Sequence, residues 1–230
     1  MEKNNIPRHI AIIMDGNRRW AKNKGLPPME GHRQGYEQFK KISEYCNKIG
    51  VKILTVYAFS LENWKRSKTE VFYLMNLLKR GLQEQRDFFI KNKVRLNVIG
   101  QIEKLPFDLK KLVLKIMEET KDNKERILNL AISYGGREEI IEAVKKIIKE
   151  KITPQKINEK IFSQYLYTAG QPDPDIIIRT SGEQRLSGFL PWQSVYAELY
   201  FSPKLWPDFT GEDLEEAIKE FQNRQRRFGK

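Results

Sequence analysis

Apolar positions in this chain fall into two alternating regimes. Short continuous runs rich in Ile, Leu and Val occur at "HIAIIM" (9–14), "KILTVYAF" (52–59), "RLNVIG" (95–100), "ILNLAISY" (127–134) and "DIIIRT" (175–180). Their length and β-branched content predict strands buried on both faces. Between them the apolar residues recur at helical spacing, predicting helices over about 32–49, 69–91, 106–123, 136–150 and 155–167. A last helix is predicted over about 211–227, opened by Thr210 with Asp213 three residues on. Strands alternating with helices point to an α/β fold, with a central, mainly parallel β-sheet flanked by helices. Pro and Gly cluster at 25–31, 170–174 and 188–191 as loops inside one domain over 1–230, without repeats or low-complexity tracts.

Ligands of open α/β sheets bind beyond the carboxyl ends of the strands, so the residues that follow each strand carry the functional expectation. Asp15, Gly16, Asn17, Arg18, Arg19 and Trp20 follow the first strand. Ser60, Glu62, Asn63, Trp64 and Arg66 follow the second, and Gly135, Gly136 and Arg137 the fourth. Arg179, Thr180, Ser181, Gly182, Glu183 and Arg185 end the fifth, with Ser187 just beyond. Arginines, hydroxyls and carboxylates from four strand ends thus converge on one edge.

Charge agrees with an anionic ligand without choosing one. Lys and Arg number 42 against 30 Asp and Glu, a formal net charge of +12, with a pI of about 9.6. Such a balance suits phosphorylated metabolites, lipid headgroups or nucleic acid. Mean hydropathy is −0.62, and no apolar run reaches the roughly 18 residues of a spanning helix. No secretory leader is recognisable at the N-terminus, which predicts a cytoplasmic protein. Cys46 is the single cysteine, so an internal disulfide is excluded and a helix-packed thiol is the default.

Guanidinium groups give bidentate, permanently charged contacts to phosphate oxygens, and the "RTSGEQR" turn can add backbone N–H groups. Asp15 reads either as an ion-pair partner in a turn or as a Mg²⁺ ligand completed by substrate phosphate. Glu198, in the otherwise apolar "YAELYF", is the candidate second carboxylate. His32 is placed at a helix opening, as a phosphate donor or a polar cap residue. A Walker loop, a GxGxxG turn after the first strand and a DDxxD pair are all absent, which weakens P-loop, dinucleotide-binding and trans-prenyl synthase readings.

Taken together, "HIAIIMDGNRRWAK", the "GH" at 31–32, "AFSLENWKR", "LNLAISYGGR", "RTSGEQRLSGFLPWQ", "YAELYF" and "LWPDF" resemble the cis-prenyltransferase family over about residues 7–229. The resemblance implies an enzyme that adds isopentenyl diphosphate to an allylic diphosphate, usually farnesyl diphosphate, making cis double bonds. It also implies a hydrophobic tunnel for the growing chain, a homodimer and Mg²⁺ as cofactor. By matching motif, Asp15 would hold Mg²⁺ and assist departure of the allylic diphosphate, with Glu198 supporting the metal. Gly16, Asn17, Arg19 and His32 would line the allylic diphosphate site, with Arg18 and Trp20 beside it. Arg179, Arg185 and Ser187 would take the diphosphate of isopentenyl diphosphate. Ser60, Glu62, Asn63, Trp64 and Arg66 match a loop that positions substrate, and the proton would leave either to diphosphate or through a hydroxyl–amide relay such as Ser60 and Asn63. Arg227 and Gly229 match a terminal Arg-x-Gly that reaches toward a partner's active site.

Five positions depart from the family pattern: Pro28, Leu61, Gln184, Gly188 and Pro191. Pro28 replaces an arginine, leaving Arg18 or Arg33 to supply that charge. Product length would depend on Ala58, the helix over 69–91 and the strand over 127–134, with Phe72, Leu74 and Leu78 as residues able to close the tunnel. Rival readings are a short-chain or chain-joining synthase of the same fold, a basic nucleic-acid-binding module and a non-catalytic scaffold subunit. The last two are disfavoured: carboxylates sit among the arginines at the strand ends, no RNA-reading signature occurs, and Asp15 is retained. Nucleic acid is therefore not an expected partner, whereas peripheral contact with an anionic membrane surface is compatible with the charge.

Overall fold

The structure is a computed structural model that describes residues 6–224. Six strands, His9–Ile13 (β1), Ile53–Ser60 (β2), Val94–Ile99 (β3), Arg126–Tyr134 (β4), Ile176–Arg179 (β5) and Glu198–Phe201 (β6), form one sheet in the order β3-β4-β2-β1-β5-β6. Every neighbouring pair is parallel. The helices are Asn17–Asn23 (α1), Pro28–Ile49 (α2), Lys68–Lys91 (α3), Phe107–Thr120 (α4), Gly136–Lys149 (α5), Glu159–Ser163 (α6) and Gly211–Asn223 (α7).

Alternation along the strands sorts the core into two sides. Ile10, Ile12, Leu54, Val56, Leu128, Leu130, Ile176 and Ile178 pack with Ile42 of α2, Leu74 of α3, Val113 of α4 and Ile218 of α7. Their neighbours Ala11, Ile13, Ala131 and Ile177 pack with Tyr134, Phe189 and Leu190. Cys46 is buried in the first side, and burial pushes its thiol up to about 12, as suits a packing residue.

A polar ladder crosses four strands inside this apolar frame. His9 Nδ1 lies 2.8 Å from the Pro172 carbonyl oxygen and Nε2 lies 2.7 Å from Thr55 Oγ1. A carbonyl can only accept, so Nδ1 carries the proton and the Thr55 hydroxyl donates to Nε2. Asn129 donates to Thr55 Oγ1 at 2.8 Å, and Asn97 donates to Asn129 Oδ1 at 2.9 Å. Burial lowers the His9 pKa to about 4, against the raising influence of Pro172 and Asp175.

Five local expectations change. Residues 17–23 form α1 rather than a turn. α2 begins at Pro28, because Pro27 is extended and a proline is pre-set for a helix's first position; His32 consequently lies inside α2 and does not open it. The predicted helix over 155–167 reduces to a 3₁₀ turn at Pro154–Lys156 and the short α6. β6 was not among the predicted strands, since its four residues are all only partly buried. The last helix ends at Asn223.

Candidate active site

The chain leaves β1 at Ile13 and turns sharply. Gly16 has φ 111, and a Cβ there would lie 2.9 Å from Leu205 Cδ2 and 3.1 Å from Leu205 Cα, so only glycine allows this entry into α1. The turn is pinned to the end of β5: Asp15 N–H donates to Thr180 Oγ1 at 3.0 Å, and that hydroxyl donates to Asp15 O at 2.7 Å.

β1 and β5 are neighbours with Ile13 opposite Arg179, which delivers Asp15 and Arg179 to one point. Arg179 Nη2 donates to Asp15 Oδ2 at 2.8 Å, and Arg19 Nη2 lies 3.6 Å from Oδ1. Burial alone would raise the Asp15 pKa, but hydrogen bonds from Arg179 and Ser181 and the charges of Arg179 and Arg19 outweigh it and hold the carboxyl below its usual range. Arg179 is itself buried, and its other amino group donates to Ser187 Oγ at 2.8 Å and to the Arg185 carbonyl. Arg19 also donates to the Ser181 carbonyl at 3.2 Å, and Glu183 bridges Arg19 and Arg185. Asp15, Arg19, Arg179, Arg185 and Ser187 therefore form one connected cluster.

A second cluster surrounds Glu70, on α3. Its Oε1 takes His32 Nε2 at 3.1 Å and Arg66 Nη1 at 3.0 Å, with Arg18 Nε at 3.9 Å. Burial would raise the Glu70 pKa, but His32, Arg66 and Arg18 together lower it. Burial lowers that of His32, with Arg66 and Arg18 adding to the effect and Glu70 opposing it. Glu70 was not among the expected site residues. Ser67 accepts from its backbone N–H at 3.3 Å, and a Ser-x-x-Glu spacing reads as a helix capping box.

Two cavities meet beside these clusters, which contribute Asp15, Arg18, Arg19, His32 and Arg66 to their walls but not Arg179, Arg185, Ser187 or Glu70. A polar basin of about 740 Å³ is lined by Asp15, Gly16, Asn17, Arg18, Arg19 and Arg66, with Lys22 and Pro28 among its other walls. Beside it a narrower apolar cleft of about 100 Å³ runs between β2, α2 and α3, past Ala58, Phe39, Leu74, Leu78 and Phe89. Met14, Asn17 and His32 line both. Of the residues expected to close a tunnel, Leu74 and Leu78 do line the cleft, whereas Phe72 is 71% exposed on the far side of α3. Arg18 lines the basin that Pro28 also borders, while Arg33 is exposed and pairs with Glu30 at 2.9 Å.

Other expected residues are engaged elsewhere. Trp20 donates to Asp208 at 2.7 Å and does not line either cavity. Ser60 and Asn63 close on each other as a capping box, with Ser60 N–H donating to Asn63 Oδ1 at 3.1 Å. Trp64 donates to Ser133 Oγ at 2.9 Å and packs edge-on to Phe59, and Glu62 is exposed. Glu198 pairs with Arg224 at 2.9 Å and stands opposite Ile176. Three residues separate that level from Arg179, roughly 10 Å along the strand, so one chain does not bring Glu198 to Asp15. Among the described residues no group of three or more His, Cys, Asp or Glu side chains is set to hold a metal. Arg227 and Gly229 lie outside the described residues.

A prenyltransferase family model described as "Putative undecaprenyl diphosphate synthase" matches residues 13–229. An isoprenyl transferase of Clostridium perfringens is 53% identical, over 97% of this chain and 90% of that protein. One from Fusobacterium nucleatum is 50% identical, over 100% of this chain and 98% of that protein. Among solved structures, lavandulyl diphosphate synthase from Lavandula x intermedia, in complex with dimethylallyl diphosphate, superposes with a TM-score of 0.93 at 38% identity. That likeness covers 98% of this chain and 99% of the other. A probable undecaprenyl diphosphate synthase from Campylobacter jejuni superposes with a TM-score of 0.81 at 40% identity, over 98% and 100% of the two chains.

Proposed function

Since the chain belongs to the cis-prenyltransferase family, as an enzyme of the isoprenyl transferase type, we propose that it extends farnesyl diphosphate or a similar allylic primer with isopentenyl diphosphate. The product would be a polyprenyl diphosphate such as undecaprenyl diphosphate, a lipid-carrier precursor for cell-wall synthesis. The observation that carries this reading is the pair of cavities sharing Met14, Asn17 and His32. A cationic basin opening into an apolar cleft matches a ligand with a diphosphate head and an isoprenoid tail.

Arg18, Arg19 and Arg66 would receive the allylic diphosphate, and Arg179, Arg185 and Ser187 the second one. Charge develops on the departing diphosphate as the allylic C–O bond breaks, and preorganised guanidiniums stabilise it without reorganising. Asp15 fits a Mg²⁺ site as a single, ionised and partly exposed carboxylate whose ion would complete its shell with phosphate oxygens and water. Bound there, Mg²⁺ would neutralise part of the leaving diphosphate's charge. Replacing Asp15 by Ala should lower kcat by about 100-fold or more, measured with labelled isopentenyl diphosphate and Mg²⁺. Near-normal turnover would defeat the assignment.

A shorter-chain or chain-joining reaction is the second reading, favoured by the TM-score of 0.93 to lavandulyl diphosphate synthase. Sizing the extracted products separates the two, because one or two additions only would reject the long-chain product. We also infer a homodimer through α5, where Ile141, Val144 and Ile148 form an exposed stripe at helical spacing. Ile148→Asp should shift the sedimentation coefficient from dimer to monomer, and an unchanged value would remove α5 from the interface. No helix among the described residues is long and apolar enough to cross a membrane. Contact with anionic headgroups is proposed as peripheral, on the strength of the +12 charge.

A further inference from the structure

Glu139, on the first turns of α5, is 1% exposed and lies outside both clusters described above. Four hydrogen bonds converge on its carboxylate. Tyr134 hydroxyl donates to Oε2 at 2.6 Å and Tyr167 N–H to Oε1 at 2.8 Å. Gln193 Nε2 lies 3.2 and 3.3 Å from the two oxygens and 3.1 Å from Thr168 Oγ1. Burial raises the Glu139 pKa, opposed by the hydrogen bonds from Tyr134, Tyr167 and Gln193, and with Tyr134 and Tyr167 both donating to it, its oxygens face Gln193 as acceptors and set which way that amide turns. That orientation leaves Gln193 Oε1 buried without a partner, a cost the contact with Glu139 outweighs.

Gln193 lies further along the β5–β6 loop that carries Arg185 and Ser187. The same loop is seated on α5 twice more. Gly136 N–H donates to Gly188 O at 2.9 Å, and Pro191 lies so close that a Cβ at 136 would come within 2.0 Å of its Cδ. Ser181, Ser187 and Leu190 have φ of 83, 50 and 48, left-handed values that non-glycine residues keep only when the surroundings impose them. Arg179 restrains the inner end of this strained loop, through Ser187 Oγ and the Arg185 carbonyl. The outer end has Glu139.

We propose that Glu139 is a positioning residue that, through Gln193, holds the 181–193 loop so that Arg185 and Ser187 face the second diphosphate. The assignment of that diphosphate rests on the function proposed above. Neither Glu139 nor Gln193 lines either cavity.

Hydrogen–deuterium exchange of the full chain, with steady-state kinetics of the same samples, tests this on Glu139→Gln and on Gln193→Met, which keeps the side-chain volume and removes the amide. Each folded variant should exchange its 181–193 amides about tenfold faster while 14–35 are unchanged. The KM for isopentenyl diphosphate should rise about tenfold and that for farnesyl diphosphate stay within about twofold. Unchanged exchange in the loop, or an equal rise of both KM values, overturns the proposal. If one variant does not fold, by circular dichroism, the other decides. If the wild-type chain turns over neither diphosphate, the enzymatic reading fails, and the exchange rates still decide whether Glu139 holds the loop.

Discussion

At Glu70 three cationic or basic groups meet one carboxylate, and removing it would leave His32, Arg66 and Arg18 facing one another across the basin wall. Hydrogen bonds to charged groups contribute about 1.5–3 kcal/mol each. Glu70→Ala is therefore expected to raise the KM for the allylic diphosphate about tenfold, with Glu70→Gln intermediate because it keeps one acceptor. Initial-rate kinetics at saturating isopentenyl diphosphate would check it, and equal KM values for wild type and Ala would refute it. Asp15 was legible in the sequence because it directly follows a buried apolar run, and Arg179 and Arg185 because they end one and lie in the turn beyond it. Glu70 was not, since a glutamate three residues after a serine at a helix start is already explained by capping. Trp20 and Trp64 have partners the sequence did not show: each indole N–H donates within the protein, to Asp208 or to Ser133.

Between elements, the β2 edge and α3 set the shape of the apolar cleft. Ala58 lines it opposite Leu74 and Leu78, where a small side chain leaves the space open. Enlarging Ala58 to Leu should shorten the product by one or more isoprene units while KM values for both diphosphates stay within about twofold, since uniform binding at the basin is untouched. Chromatographic sizing of the products checks this, and an unchanged length distribution would exclude Ala58 from length control. Periodicity identified α3 and placed Leu74 and Leu78 on it, but facing depends on tertiary packing, and Phe72 turned outward. β6 and α1 escaped for another reason. Four half-buried residues give no periodic signal, and "NRRWAKN" has the polarity of a loop until Gly16 and Leu205 fix its entry.

Across the whole molecule, the polar ladder through His9, Thr55, Asn129 and Asn97 ties four neighbouring strands together at buried positions. The folded His9 pKa of about 4 lies below its ordinary 6.5, so the unfolded chain binds the extra proton first. The stability this contributes is complete above pH 6.5 and is lost as pH falls from 6.5 toward 4, on the order of 3 kcal/mol in full. Thermal melts of wild type and His9→Asn over pH 7.5 to 4.5 would test it: the wild-type midpoint should fall more steeply than the variant's, and parallel curves would exclude His9. Strand–helix alternation predicted the parallel sheet itself, but the sequence carried no sign of the ladder, whose members are scattered over 120 residues of chain and meet only when the sheet is assembled.

The strand order also dictates when the chain can work. β1 is the third strand from one edge, wedged between β2 and β5, so it completes its pairing only after residues 176–179 have been made. Such distant pairing is slow to form and leaves apolar edge exposed meanwhile. Asp15 waits for Arg179 throughout that interval. A nascent chain can thus bury most of its helices while its chemistry remains unbuilt, and competence arrives all at once, when β5 joins the sheet.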